Sequence, residues 1–376
     1  MAKKTPPQRK SQPNTAGSAA KTGTQLSVSF DNVPAVFLKT GWISLAIFLL
    51  AFLAYSNTLQ HGFTLDDEAV ITSNDFTKAG IAGIPDIFSK DTFYGFLKSD
   101  DRTIVAGGRY RPFSLLLFAL TWQMFGQNPF AFHLQSVLLF SLTCVVVYRT
   151  LSLLLRERLG QAHAAVLSFF AAILFTVHPI HTEVVANVKG CDEILSLLFS
   201  LTALGCVLQA VDKQKITWHI AAGIAFFIAC LSKENAATFL LVVPMALYYF
   251  RVPTSQTLRQ SAAQLFRWTV PLLAAFAVFF VIRGIIVHWS YGDSTSLGLM
   301  NNPFVEVQGR QWVPFSLGEK MATGCFTLGI YLKLLFVPHP LTHDYYPRHI
   351  DIMTFGHPGA LFSLLIYIAL AVIAVR

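Results

Sequence analysis

Five short polar stretches and one isolated arginine carry the side chains in this chain that could do chemistry, and each lies where an apolar run begins or ends. In GFTLDDEAVITSND, Gly62 to Asp75, the acids Asp66, Asp67 and Glu68 stand side by side. Adjacent carboxylates repel, so at least one should hold its proton unusually tightly, which suits a general base for a hydroxyl nucleophile. A solvated acidic turn or a helix N-cap would use the same residues. In YRPFS, Tyr110 to Ser114, Arg111 precedes a proline that fixes a helix start, so its guanidinium and the free N–H groups there suit a phosphate. An arginine reaching for lipid headgroups would look alike. HPIHTEVVANVKGCDEIL, His178 to Leu195, is the densest polar insertion between apolar runs. Its His178, His181 and Glu183 invite a metal reading, but Pro179 breaks the helical spacing and no second ligand pair follows, so no metal site is assigned and a divalent ion is left open. Lys189, Asp192 and Glu193 open the next helix, where acids suit the helix dipole. In LSKENAATF, Lys233 and Glu234 either pair with each other or turn toward an anionic headgroup. Arg283 is an intramembrane cation that needs an anionic partner. FVPHPLTHDYYPRH brings His343 and Asp344 together with aromatic residues, either as an interface belt or as a platform for a sugar ring.

The elements that must position these groups are membrane helices. Of 376 residues, 54% are hydrophobic and only 13% charged, with a mean hydropathy of +0.53, which places the chain among integral membrane proteins. The net charge of +8 does not signal nucleic acid, because the cations fall in short segments between apolar runs and read as orientation signals. Four of the five cysteines lie in apolar runs and Cys191 in a short loop, so no disulfide framework is expected. Apolar runs at roughly 36–56, 130–150, 163–178, 193–211, 216–232, 235–250, 268–288 and 357–375 predict about eight spanning helices. Runs at about 112–126 and 317–337 predict helices lying along the outer interface, which keeps the cation clusters on one side. The expected fold class is thus an all-α polytopic membrane protein with large outer loops at about 57–129 and 289–356. Residues 1–33 read as a disordered cytosolic tail, residues 34–376 form the membrane domain, and the end of the chain inside an apolar run suggests that sequence is missing beyond it. No N-x-Ser/Thr acceptor occurs, which favours a bacterial inner membrane over the endoplasmic reticulum.

Taken in order, the acid pair, the Tyr-Arg-Pro, HPIHTEVVANVKGCDEILSLLF, LSKENAATF and YLKLLFVPHPLTHDYY resemble the membrane domain of the transmembrane and tetratricopeptide-repeat O-mannosyltransferases and their bacterial relatives. These belong to the GT-C class of polyprenyl-phosphate-dependent glycosyltransferases. The resemblance implies transfer of a sugar, mannose in that family, from a polyprenyl-phosphate donor to a protein or glycan hydroxyl at the outer or luminal face, with inversion. It places the base on Asp66 or Asp67, and donor contacts at Tyr110, Arg111, His178, His181, Glu183, Lys233, Glu234, Arg283, His343 and Asp344. No cofactor is firmly implied. Partners would be the lipid-linked sugar, its acceptor and membrane lipids, with no nucleic acid. Two departures stand out: Cys191 occupies a position where the family commonly has Arg, and no tetratricopeptide array follows. A lipid or solute transporter should instead show charge near the bilayer midplane and paired broken helices, and a non-catalytic scaffold would tolerate loss of Asp66 and Asp67.

Overall fold

A computed structural model describes residues 34, 37, 39–98, 108–287, 304–309, 311–343, 345 and 349–375; the tail expected at 1–33 and the site candidate Asp344 lie outside them. Ten long helices follow the chain: α1 (Thr40–Tyr55), α2 (Pro112–Phe125), α3 (Pro129–Leu159), α4 (Gln161–Val177), α5 (Cys191–Lys213), α6 (Ile216–Ser232), α7 (Phe239–Arg251), α8 (Leu258–Ile286), α9 (Leu317–Phe336) and α10 (Pro358–Val375). Every apolar run read from the sequence is one of these helices. By length and composition four segments can cross a membrane, built on α1, α3, α5 and α8, or five when α4 is joined to the bent segment after it; α2, α6 and α10 are shorter apolar helices. The protein is an all-α polytopic membrane protein. Among the described residues one antiparallel hairpin interrupts the helices, β1 (Val305–Gln308) with β2 (Gln311–Pro314), in which Val305 faces Pro314.

A helix in lipid must satisfy its own backbone, and this sequence marks the ends where that stops. Asn128 caps α3 by accepting the Phe130 N–H, Pro129 takes the first turn, and Gly160 ends the helix at φ +76. Thr257 with Gln260, and Ser316 with Glu319, form reciprocal capping boxes at the starts of α8 and α9.

Helix α5 is the axis of the bundle, packed against α3 on one side and α6 on another. Small residues allow close approach: Gly205 on α5 faces the Thr150 side chain of α3, and Gly223 on α6 lies against Pro271 of α8. At the end of the bundle where α3, α5 and α7 finish, Asp212 accepts hydrogen bonds from Arg156 at 2.7 Å and from Arg251 at 2.8 Å. This clamp ties three helix ends together far from the polar residues considered next.

Candidate active site

The opposite end of α5 begins a buried ionic network. Asp192, in its first turn, has a side chain only 3% exposed. Residues two apart in extended backbone share a face, and the extended segment before α2 turns Arg111 inward while the Tyr110 hydroxyl bonds back to the Phe88 carbonyl at 3.0 Å. Arg111 then donates from Nη1 to Asp192 at 2.7 Å, and from Nε and Nη2 to the two oxygens of Glu234 at 2.9 and 2.7 Å. This is a forked, charge-assisted contact. Burial works against the Arg111 cation, but Glu234 and Asp192 outweigh it and hold its pKa above the ordinary arginine value. Burial likewise opposes ionisation of Glu234, yet the hydrogen bonds and charge of Arg111 hold its carboxyl down at about 2.

Two lysines complete the network. Lys233, at the end of α6, bonds Glu193 at 2.5 Å and lies 3.6 Å from Asp192. Asn235 donates to Glu193 at 2.7 Å and accepts from Ser196. Lys189 lies 3.8 Å from both Asp192 and Asp66. It enters the site on a tight turn: a Cβ on Gly190 would stand 2.3 Å from the Val184 carbonyl oxygen, so only glycine lets the backbone pass there.

The acidic stretch separates into two unlike roles. Asp67 is fully buried and accepts backbone N–H bonds from Thr64 at 3.0 Å and from Lys189 at 2.8 Å. Burial pushes its carboxyl pKa up, against those hydrogen bonds; loss of solvent, not repulsion from the neighbouring acids, is the cause. Its place is that of a peg joining the acidic turn to the Lys189 turn. Asp66, one residue earlier, projects outward with 65% of its side chain exposed and reaches Lys189 at 3.8 Å. Leu65, at φ +50, makes the kink that sends the two acids in different directions. Glu68 accepts from Ser73 and begins the short helical turn that follows.

The remaining candidates divide. His178 ends α4, accepts the Ile180 N–H at its Nδ1 and lies 3.2 Å from the Leu335 carbonyl, so it fastens the bent segment to α9. His181 packs at a tilt against Phe175 and, with Glu193, Ser196, Ser200, Asn235 and Phe140, lines a cavity of about 290 Å³ along α5. Glu183 is exposed and pairs with Asn187. Among the described residues no group of three His, Cys, Asp or Glu side chains is arranged to hold a metal ion. His343 is exposed. Arg283 sits in the last turn of α8 with no side-chain partner among the described residues. The sequence reading passed over Arg109, which lines a narrow niche with Arg111, Lys189 and Asp192; its spacing of two from Arg111 was the available signal.

Comparison with known proteins bears on this constellation. Residues 111–282 match the Dolichyl-phosphate-mannose-protein mannosyltransferase family. That segment runs from Arg111 through Lys189, Asp192, Lys233 and Glu234, so it contains the whole buried network. The chain is 30% identical over 200 residues to the human Protein O-mannosyl-transferase TMTC1, covering 53% of this chain and 22% of that protein. It is 31% identical over 187 residues to mouse TMTC3, covering 49% and 19%, and 29% identical over 233 residues to human TMTC4, covering 57% and 30%. The chain thus spans less than a third of the length of these relatives, each named a protein O-mannosyl-transferase. No solved structure matches it. The family expected from the motifs is the one the comparisons return.

Proposed function

We propose that this chain is the membrane part of a glycosyltransferase that moves a sugar, mannose by analogy with its relatives' names, from a polyprenyl-phosphate donor to a hydroxyl acceptor, a protein serine or threonine. The observation that carries the reading is the division of labour between the two acids: Asp67 is locked into the fold, while Asp66 stands exposed beside Lys189 at the edge of the ionic network. Asp66 takes the proton from the acceptor hydroxyl as its oxygen bonds to the sugar's anomeric carbon from the face opposite the phosphate. The bond from that carbon to the phosphate oxygen breaks, and the phosphate leaves with the electron pair, so the configuration inverts. Charge gathers on the leaving phosphate, and nearby fixed cations stabilise it without reorganising. Arg111 and Lys233 are already committed to Asp192, Glu193 and Glu234, so they build the site's frame, and Lys189 is the lysine nearest Asp66.

Alternation of cations supports a cytosolic N-terminus with the site end on the other side of the membrane, and the lack of any N-x-Ser/Thr acceptor supports a bacterial inner membrane. The test is transfer of radiolabelled mannose from a polyprenyl-phosphate donor to a Ser/Thr-rich peptide by the chain in lipid nanodiscs. Asp66→Asn should lower kcat about 10²–10⁴-fold, as expected for a lost general base, with the fold intact. A wild-type rate in Asp66→Asn would overturn the reading.

A further inference from the structure

Asp66 and Arg111 belong to separate stretches of chain, and a line of buried hydrogen bonds joins them. Asn74, fully buried, stands at its centre. Its side-chain oxygen accepts the Phe76 and Thr77 N–H groups at 3.1 and 3.4 Å, which caps the short helical turn Asp75–Lys78. A cap needs no more than that oxygen. The amide nitrogen of the same side chain donates twice elsewhere, to the Ala69 carbonyl at 3.0 Å and to the Thr92 carbonyl at 3.1 Å, so both its donors and both its acceptor sites are filled. On the first side, the Ala69 N–H bonds the Asp66 carbonyl at 3.1 Å. On the second, Thr92 takes hold of the arginine segment twice: its N–H donates to the Arg109 carbonyl at 2.7 Å, and its Oγ1 accepts the Arg111 N–H at 2.9 Å.

The surroundings are shaped to this side chain. A Cβ on Gly95 would stand 2.3 Å from the Asn74 side-chain oxygen, so glycine leaves the room that the amide fills. Thr77 donates its hydroxyl to the Val70 carbonyl at 2.7 Å, which holds the acidic turn from the same side. A buried amide with every partner present is stiff, because breaking any one bond strands a polar group away from water. We infer that Asn74, acting through Thr92, is a positioning residue that sets the separation between Asp66 and the segment carrying Arg111. The Arg111 side chain goes on to Asp192 in the first turn of α5 and to Glu234 after α6. One asparagine thereby relates the acidic turn to the frame of the whole ionic network. The role of Asp66 as base is taken from the reading above; the coupling of the two segments stands without it.

Serine caps a helix as well as asparagine does but has no amide to donate, so Asn74→Ser keeps the cap and removes the two outward bonds. Thr92→Val removes the acceptor of the Arg111 N–H at nearly constant shape, and Thr92→Ser restores it. Mannose transfer is measured in lipid nanodiscs at a temperature where each variant is folded. Asn74→Ser and Thr92→Val should lower kcat about tenfold or more and leave KM for the lipid-phosphate sugar within about twofold, since a displaced base spoils the geometry of attack rather than donor binding. Thr92→Ser should stay within about threefold of wild type in kcat. Hydrogen exchange supplies a readout independent of catalysis: Asn74→Ser should speed exchange of amides at 66–72 and at 109–111 together, and leave α6 unchanged. Lower melting with wild-type kcat in the folded variants, equal losses in Thr92→Ser and Thr92→Val, or faster exchange at 66–72 alone would overturn the inference. A wild type that transfers no sugar, while Asn74→Ser still loosens both segments together, refutes only the transferase reading and supports the coupling.

Discussion

Replacing Arg111 by methionine isolates what the buried network contributes. The side chain is 10% exposed and its partner Asp192 only 3%, whereas the Glu234 side chain is 41% exposed. Removing one member of a buried ion pair leaves the other charged and without solvent, which costs about 3–5 kcal/mol. The solvent-screened leg to Glu234 is worth about 0.2–1 kcal/mol. Arg111→Met should therefore destabilise the chain by at most about 3–5 kcal/mol, since Lys233 at 3.6 Å and Lys189 at 3.8 Å still face Asp192, and Glu234→Gln by no more than about 1 kcal/mol. Combining Arg111→Met with Asp192→Asn should cost less than the two separately, by about 0.5–3 kcal/mol, because each removes the same interaction. Arg111→Lys should recover little, since an ammonium cannot fork between two acids held by different helices. Equilibrium unfolding in mixed detergent micelles measures all of these. A loss below about 1 kcal/mol for Arg111→Met, or equal losses for Arg111→Met and Glu234→Gln, would refute the assignment of the central strain to the Asp192 leg.

Other expectations follow from single contacts. Glu234 ionises more readily folded than unfolded, so its contribution is present in full above its ordinary value of 4.5 and is lost as pH falls toward about 2; melting temperature should drop across that interval in wild type and drop less in Glu234→Gln. Gly190→Ala should destabilise by about 1–3 kcal/mol through overpacking against Val184, and transfer should fall with it as Lys189 moves; unchanged melting would show that the backbone can yield there. Cys144, Cys191, Cys206 and Cys230 are buried and Cys325 is half-buried, so brief maleimide treatment of the folded chain should modify Cys325 first, as peptide mass spectrometry would show.

The helices were legible because each is written locally. A run such as 216–232 is apolar from end to end, and Asn128-Pro129 before α3 or Gly160 after it marks a boundary within a few residues. The hairpin at 305–314 was not foreseen, lying in a loop where no apolar run drew the eye. Within the site, the acid pair was found, but which acid faces solvent depends on the positive φ at Leu65 and on a bond from Lys189, more than a hundred positions away. Arg111 was read as a free cation because its partners lie 81 and 123 positions further on. Cys191 shows the same limit. It is buried in an apolar cluster with Val188 and Leu195, so this position looks away from the ionic network, and a cation there would need another outlet.

Helix α5 carries Asp192 near its first residue, pinned by Arg111 just before α2, and Asp212 near its last, pinned by Arg156 of α3 and Arg251 of α7. About 20 residues of helix rise separate them, or about 30 Å, which is also the depth of a bilayer's hydrocarbon slab. The two carboxylates thus act as fixed marks on a gauge. A thinner or thicker bilayer cannot be met by sliding this helix along its neighbours, so the lipid must adapt, or the rod must lean with its whole collar of helices.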